Sequence, residues 1–236
     1  MPRRARGRSL LSRRWRALWA VPLVCLAVSA GKAADLNLML DRCIAGQTNV
    51  RTWSADLTQT RSLQVLAQPL VSTGKVWMAM PDRFRWELGR PAQTIALRQP
   101  EQLVIIYPRL KRAEKFSLSE SQSGPWKEVL ALLDASFPRS RAELESHFTV
   151  RSLSETNSII HLALQPKSGF ARKLMSEIQI DFSTNDYCPV STELRFSDGS
   201  RMRNDFMNAV INVPLPDGIF DLKLDPSFMV VEPLRQ

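Results

Sequence analysis

The sequence predicts a mainly β (α+β) domain. In it one large curved antiparallel sheet is covered by the apolar stripes of two or three helices, with a two-sheet sandwich as the alternative. Three observations predict this. Apolar and polar residues alternate with period two in many short segments between residues 52 and 224. Turn residues, Pro81-Asp82 and Asp198-Gly199 among them, separate those segments. Helical spacing is confined to a few stretches, near residues 36–44 and 126–147.

Taken in order, the chain opens on an address. Residues 3–16 are rich in arginine, Ala17–Val28 is apolar but short, and small residues follow up to Ala33. A spanning helix needs roughly 20 apolar residues. Basic, short apolar, then small is the order of a secretory signal. Residues 1–33 are therefore expected to be a cleavable signal peptide, and 34–236 a single exported domain. The alternative is an uncleaved single-span anchor.

Leu36, Met39, Leu40, Cys43 and Ile44 make one helical stripe, with Gly46 at its expected stop. Trp53, Ala55 and Leu57 alternate with polar neighbours as a strand with one wet face. Gly74, Val76, Met78 and Met80, then Phe84, Trp86 and Leu88, read as the two arms of a hairpin. Short strands follow at Gln93–Leu97, Leu103–Tyr107 and Ala113–Ser117.

The period then changes. Trp126, Val129, Leu130, Leu133 and Phe137 fit a helix, with Pro125 in its first turn. Ser140 and Glu143 form a capping box for a second one. Strands resume at Ile160–Leu164, Ile178–Phe182, Val190–Phe196 and Arg201–Asn212, and Phe220, Leu222 and Leu224 make a last strand.

Composition narrows the function classes. The chain has 236 residues and a formal net charge of +9, which suggests nucleic acid until the charges are located. Eight of the 32 basic residues lie in residues 1–33, ahead of the first acidic residue, Asp35. The remaining 24 face 23 acidic residues, a net charge of +1. Nucleic acid is thus not an expected partner. The main basic cluster of the domain is Arg109, Lys111, Arg112 and Lys115, read either as a solvated loop or as a docking patch for an acidic partner or lipid headgroup. Cys43 and Cys188 either pair as a disulfide or remain two buried thiols. No P-loop, GxGxxG, GxSxG, HExxH or CxxC motif is present. The two histidines, His147 and His161, lack ligand partners at metal spacing. Neither an enzyme activity nor a cofactor is expected.

Several strings, in order, resemble the periplasmic outer-membrane lipoprotein carrier family, the LolA-like proteins. Leu57-Thr58-Gln59 is similar to the aromatic-x-Gln of the family's first strand. Gly74-Lys75-Val76 through Pro81-Asp82-Arg83-Phe84-Arg85-Trp86 resembles its hairpin, with Pro91 following. Leu103 to Tyr107-Pro108 and the late Gly199, Phe206, Asn208, Asn212 and Phe220 continue the match. Gln59–Leu63 and Pro69–Gly74 are closer to the branch associated with aryl-polyene-type pathways. The family arginine that helps hold the lid closed is replaced here by Met80, with Arg83 or Arg85 as the candidate substitute.

The resemblance implies an incomplete antiparallel β-barrel, or strongly curved sheet, with a lid of two to three short helices over a hydrophobic cavity. It implies a monomeric, non-spanning carrier. Such a carrier takes an acylated lipoprotein or other lipid cargo from an inner-membrane donor complex to an outer-membrane acceptor. Phe84 is carried over to the cavity mouth. Val76, Met78, Met80, Trp86 and Leu88 are expected to share its inward facing, with Met39, Leu130 and Leu133 on the lid. The alternative function is a periplasmic protein-binding module or envelope-stress sensor on a related fold.

Overall fold

A computed structural model describes residues 27–118 and 135–233, with the backbone alone for residues 27–36. The chain divides into two units, residues 1–35 and residues 36–236. Of the first, the described part is the opening of helix α1 (Ala27–Gln47). The second contains the sheet.

Twelve strands form that sheet: β1 (Thr52–Ser62), β2 (Leu70–Ala79), β3 (Arg83–Leu88), β4 (Thr94–Gln99), β5 (Gln102–Tyr107), β6 (Arg112–Ser117), β7 (Phe148–Thr156), β8 (Ile159–Pro166), β9 (Met175–Ser183), β10 (Pro189–Phe196), β11 (Arg201–Ile211) and β12 (Met229–Val231). The order across it is β12-β6-β5-β4-β3-β2-β1-β11-β10-β9-β8-β7, and it is not closed into a barrel. Every pairing is antiparallel except β12 with β6. Two short helices complete the fold, α2 (Arg141–His147) and α3 (Gly169–Leu174).

The local chemistry explains the main elements. In β1, Trp53, Ala55, Leu57 and Gln59 are buried on one face while Asp56, Thr58 and Thr60 are half exposed. The β2–β3 hairpin sets Val76 opposite Trp86 and Met78 opposite Phe84. Gly74 is required there: a Cβ at this position would lie 1.8 Å from the Glu87 carbonyl oxygen. The Asp198-Gly199 turn forms with Gly199 at φ +81°, and Asp198 Oδ1 accepts from the Ser200 N–H at 2.8 Å. Ser140 caps α2, its Oγ accepting from the Glu143 N–H at 3.1 Å. The reciprocal half of the capping box does not close on Ser140, because Glu143 Oε2 accepts from the Arg139 N–H instead.

Other elements differ from the sequence reading. Helix α1, described from Ala27, extends ahead of the apolar stripe, because the Ala-rich run before Leu36 favours a helix without being amphipathic. The helix expected around Trp126–Leu133 lies outside the described residues, and Ala135 and Ser136 lie in a turn. Strand β7 shows no simple alternation because a bulge between Val150 and Ser152 moves the inward face from Phe148 to Leu153. Helix α3 and the three-residue edge strand β12 are too short to show a period.

Phe220, Leu222 and Leu224 are not a strand. Their segment lies across the outer face of β4–β6, where Leu222, Leu224 and Phe228 pack on Ile95, Val104, Ile106 and Ala113. Gln99 Nε2 donates to the Phe220 carbonyl at 2.9 Å and Arg85 Nη1 to that of Ile219 at 3.4 Å. A chain crossing a sheet face shows the alternation of a strand but meets no free edge to pair with.

Candidate functional site

The inner face of the sheet carries two unequal fillings. Over β7–β9 it is dry: Leu40, Cys43 and Ile44 of α1 pack on Leu153, Leu162, Leu164, Ile178, Ile180 and Phe182. Over β3–β5 and β10–β11 a cavity of about 220 Å³ remains. Leu103 and Ile105 of β5, Phe84 and Trp86 of β3, and Ile178 and Ile180 of β9 all face it. Strands β5 and β9 stand seven places apart in the sheet, roughly 34 Å if it were flat at ~4.8 Å per strand. Both can line one cavity only because the sheet curls toward closure.

The walls alternate as the pleat requires. Leu194 and Thr192 of β10 and Met202, Asn204 and Phe206 of β11 point in, at every second residue. The outward residues between them form a polar ladder: Arg195 pairs with Glu193 and Glu177, Arg203 with Asp205, and His161 Nδ1 lies 2.8 Å from Asp181 Oδ1. Inside, Phe206 meets Trp53 and Trp86 edge-on, at ring-centre distances of 5.1 and 5.9 Å. Phe137, from the segment before α2, stacks edge-on against Trp53 at 5.4 Å. Ser136 joins the lining from the same segment. Two polar side chains are buried among these apolar walls. Gln59 Nε2 donates to Asn204 Oδ1 at 2.9 Å, and Asn204 Nδ2 donates to Thr192 Oγ1 at 3.0 Å. Sequence reasoning singled out neither as a cavity residue, since an inward amide in a strand carries no period of its own.

The expected site residues divide as follows. Phe84, 3% exposed, and Trp86 line the apolar cavity. Met78 and Met80 lie beside Phe84 in a second pocket at the β2–β3 turn, lined also by Phe137. Val76 is wholly buried in the core around Trp53. Leu88 ends β3 opposite Gly74, away from both pockets, and Met39 packs on the α1 core rather than on the cavity. Leu130 and Leu133 lie outside the described residues.

Of the basic cluster, Lys111 is 2.9 Å from Asp225 and sits 4.9 Å from the Phe228 ring centre, and Arg112 is 2.8 Å from Glu114. Arg109 and Lys115 have no ion pair among the described residues. Of the two candidates to replace the family latch, Arg85 is occupied on the outer face by Glu87 at 2.6 Å, while Arg83 borders the second pocket. A contact between the segment before α2 and the hairpin turn runs the other way, from Arg139 Nη2 to the Pro81 carbonyl at 3.4 Å.

Cys43 and Cys188 are free, buried thiols, so the pairing considered for them is not formed. Burial pushes each up to about 12, and the charge of Asp186 adds to the rise at Cys188. Among the described residues no group of three or more His, Cys, Asp or Glu side chains is placed to hold a metal ion, and no helix is long and apolar enough to cross a membrane.

The family model described as "Outer membrane lipoprotein carrier protein LolA" matches residues 48–223. No curated protein matches the sequence. Among solved structures, a LolA superfamily protein of Nitrosomonas europaea is 11% identical, with TM-score 0.40, over 76% of this chain and 96% of that one. A DUF1329 family protein of Desulfovibrio piger is 11% identical, with TM-score 0.45, over 79% and 97%. The MucA/MucB complex of Pseudomonas aeruginosa gives 13% identity and TM-score 0.45 over 80% of this chain and 61% of the matched one.

Proposed function

The chain belongs to the LolA family, and from that membership we propose that it is a periplasmic carrier that shields the acyl chain of a lipoprotein or similar lipid cargo between the inner and outer membranes. The observation that carries the reading is the cavity between β3–β5 and β9–β11, walled by Phe84, Trp86, Leu103, Ile105, Ile180 and Phe206. Its physical task follows from water. Burial is worth about 0.8 kcal/mol per CH₂, so a free 16-carbon chain exposes on the order of 12 kcal/mol of unfavourable surface. A carrier offsets much of that and must still release the chain. A segment whose apolar side packs either on the cavity wall or against cargo makes the two states compete for one surface. Phe137 on Trp53, with Arg139 on the Pro81 carbonyl, marks where that segment meets the hairpin.

In this reading residues 1–33 direct export and are removed, and the working protein performs no bond chemistry. Arg109 and Lys115 remain for docking to a donor complex or acceptor, because Lys111 and Arg112 are already paired within the chain.

The test is displacement of a neutral apolar dye from the purified protein by a fatty acyl methyl ester. The wild type is expected to bind. A Phe84→Glu variant, with an unchanged far-ultraviolet spectrum, is expected to bind at least about tenfold more weakly, since a carboxylate replaces an aromatic wall. Equal binding by the variant removes Phe84 from the site. No binding by the wild type overturns the carrier reading and leaves the protein-binding module.

A further inference from the structure

Phe84 walls a second pocket, of about 280 Å³, at the end of the sheet where β2 turns into β3. Four arginines border it, brought from four places in the chain: Arg51 just before β1, Arg83 at the start of β3, Arg98 on β4 directly opposite Phe84, and Arg139 just before α2. Glu143 is the one carboxylate in the lining, and its Oε2 already accepts from the Arg139 backbone N–H at 3.2 Å. Five arginines outside this pocket pair with carboxylates: Arg85, Arg112, Arg141, Arg195 and Arg203. Arg51 and Arg83 have no ion pair among the described residues, and the Arg139 guanidinium reaches only a carbonyl there. The remaining lining is apolar, from Met78, Met80, Phe137 and Pro138.

Like charges gathered at one pocket repel, and an anion between them removes the repulsion while accepting charge-assisted, often bidentate, hydrogen bonds. The C-terminal end of α1 also reaches this pocket and would oppose an anion through its free carbonyls. That opposition is reduced, because the Ala45 carbonyl accepts from both the N–H and the Oγ1 of Thr48. An arginine-bordered pocket that shares the Phe84 wall with an apolar cavity fits an amphiphile.

We propose that the cargo is an acyl chain bearing an anionic phosphate or carboxylate group, with the chain in the cavity and the anion among Arg51, Arg83 and Arg139. This rests on the carrier reading and narrows its cargo.

The experiment compares matched ligands of equal chain length by dye displacement on the purified protein: hexadecyl phosphate against hexadecanol, and palmitate against methyl palmitate. Each anionic ligand is expected to bind roughly tenfold more tightly than its neutral partner, with the difference shrinking as salt is raised. In an Arg51→Gln/Arg83→Gln variant, both sites being exposed, the members of each pair are expected to bind alike. Equal affinity within each pair in the wild type overturns this proposal and leaves the carrier reading intact. Failure of all four ligands overturns both. Inorganic phosphate binding, measured by calorimetry, as tightly as hexadecyl phosphate would assign the pocket to a free anion and overturn the lipid headgroup.

Discussion

Gln59 of β1 and Asn204 of β11 are cross-strand partners, and Gln59 Nε2 donates to Asn204 Oδ1 at 2.9 Å with both side chains buried in the cavity wall. The bond continues to Thr192 on β10, so three adjacent strands are tied side chain to side chain where the sheet curls. Removing one amide leaves the other buried without its partner. Asn204→Leu is expected to cost about 1–3 kcal/mol in chemical denaturation. The double variant Gln59→Leu/Asn204→Leu should recover part of that loss, since neither amide is then left facing an apolar partner and only the Thr192 hydroxyl loses its donor. A double variant that loses the sum of both single costs would show that the amides do not act as a pair.

Gly74 is a second test of the wall. Its missing Cβ leaves room for the Glu87 carbonyl of the paired strand, a backbone atom that cannot turn aside. Gly74→Ala should therefore destabilise the protein by about 2 kcal/mol or more, through strain in the hairpin that holds Phe84. Thermal unfolding measures it, and an unchanged melting temperature would show that β2 and β3 can separate at no cost.

The thiols predict a pH dependence. Cys43 and Cys188 are held at about 12 by burial, against 9.0 for a free thiol. Above about pH 9 the unfolded chain releases protons that the folded chain keeps. Their contribution to stability is therefore complete below pH 9 and is lost as the pH rises from 9 toward 12. At pH 8.5 iodoacetamide should label neither cysteine in the native protein and both after denaturation. Fast labelling of the native protein would place the thiols at the surface.

Asp225 works in the opposite direction. Hydrogen bonds from Ser227, then from Lys111, hold its carboxyl at about 2, below the usual 3.8. What it contributes is present above pH 3.8 and lost as the pH falls through about 2. The segment it anchors leads into β12, which pairs with the edge of β6. Hydrogen exchange at Met229 and Val231, corrected for its intrinsic pH dependence, should show protection at pH 5 that fades near pH 2. Asp225→Ala should lower protection at neutral pH, and undiminished protection in that variant would leave the anchor to Phe228.

The pattern of strands was legible wherever one face was dry and the register unbroken, as in β1, β2, β3, β8 and β9. It was hidden in β7, where the bulge after Val150 reverses the inward parity, and imitated at Phe220–Leu224, where a crossing segment packs one side on a sheet face. Phe84 and Trp86 were readable as cavity residues from the hairpin string. Leu88 and Val76 share their parity and yet lie outside the cavity, because parity selects a face and not a position along it.

The sequence by itself determined which apolar residues turn inward in the unbroken strands, where the hairpins turn, and how the charge divides between the first 33 residues and the rest. It also identified the family, since the strings at Gly74–Trp86 and Gly199–Asn212 are local. Only the tertiary structure decided what those inward faces enclose. Period-two patterning is the same for a filled core and a hollow one, and the difference arises from curvature, which brings β5 and β9 to one cavity while α1 fills the space over β7–β9. The arginine pocket was equally out of reach: Arg51, Arg83, Arg98 and Arg139 are scattered along the chain, and only the curled sheet and the segment before α2 bring them to one side of Phe84.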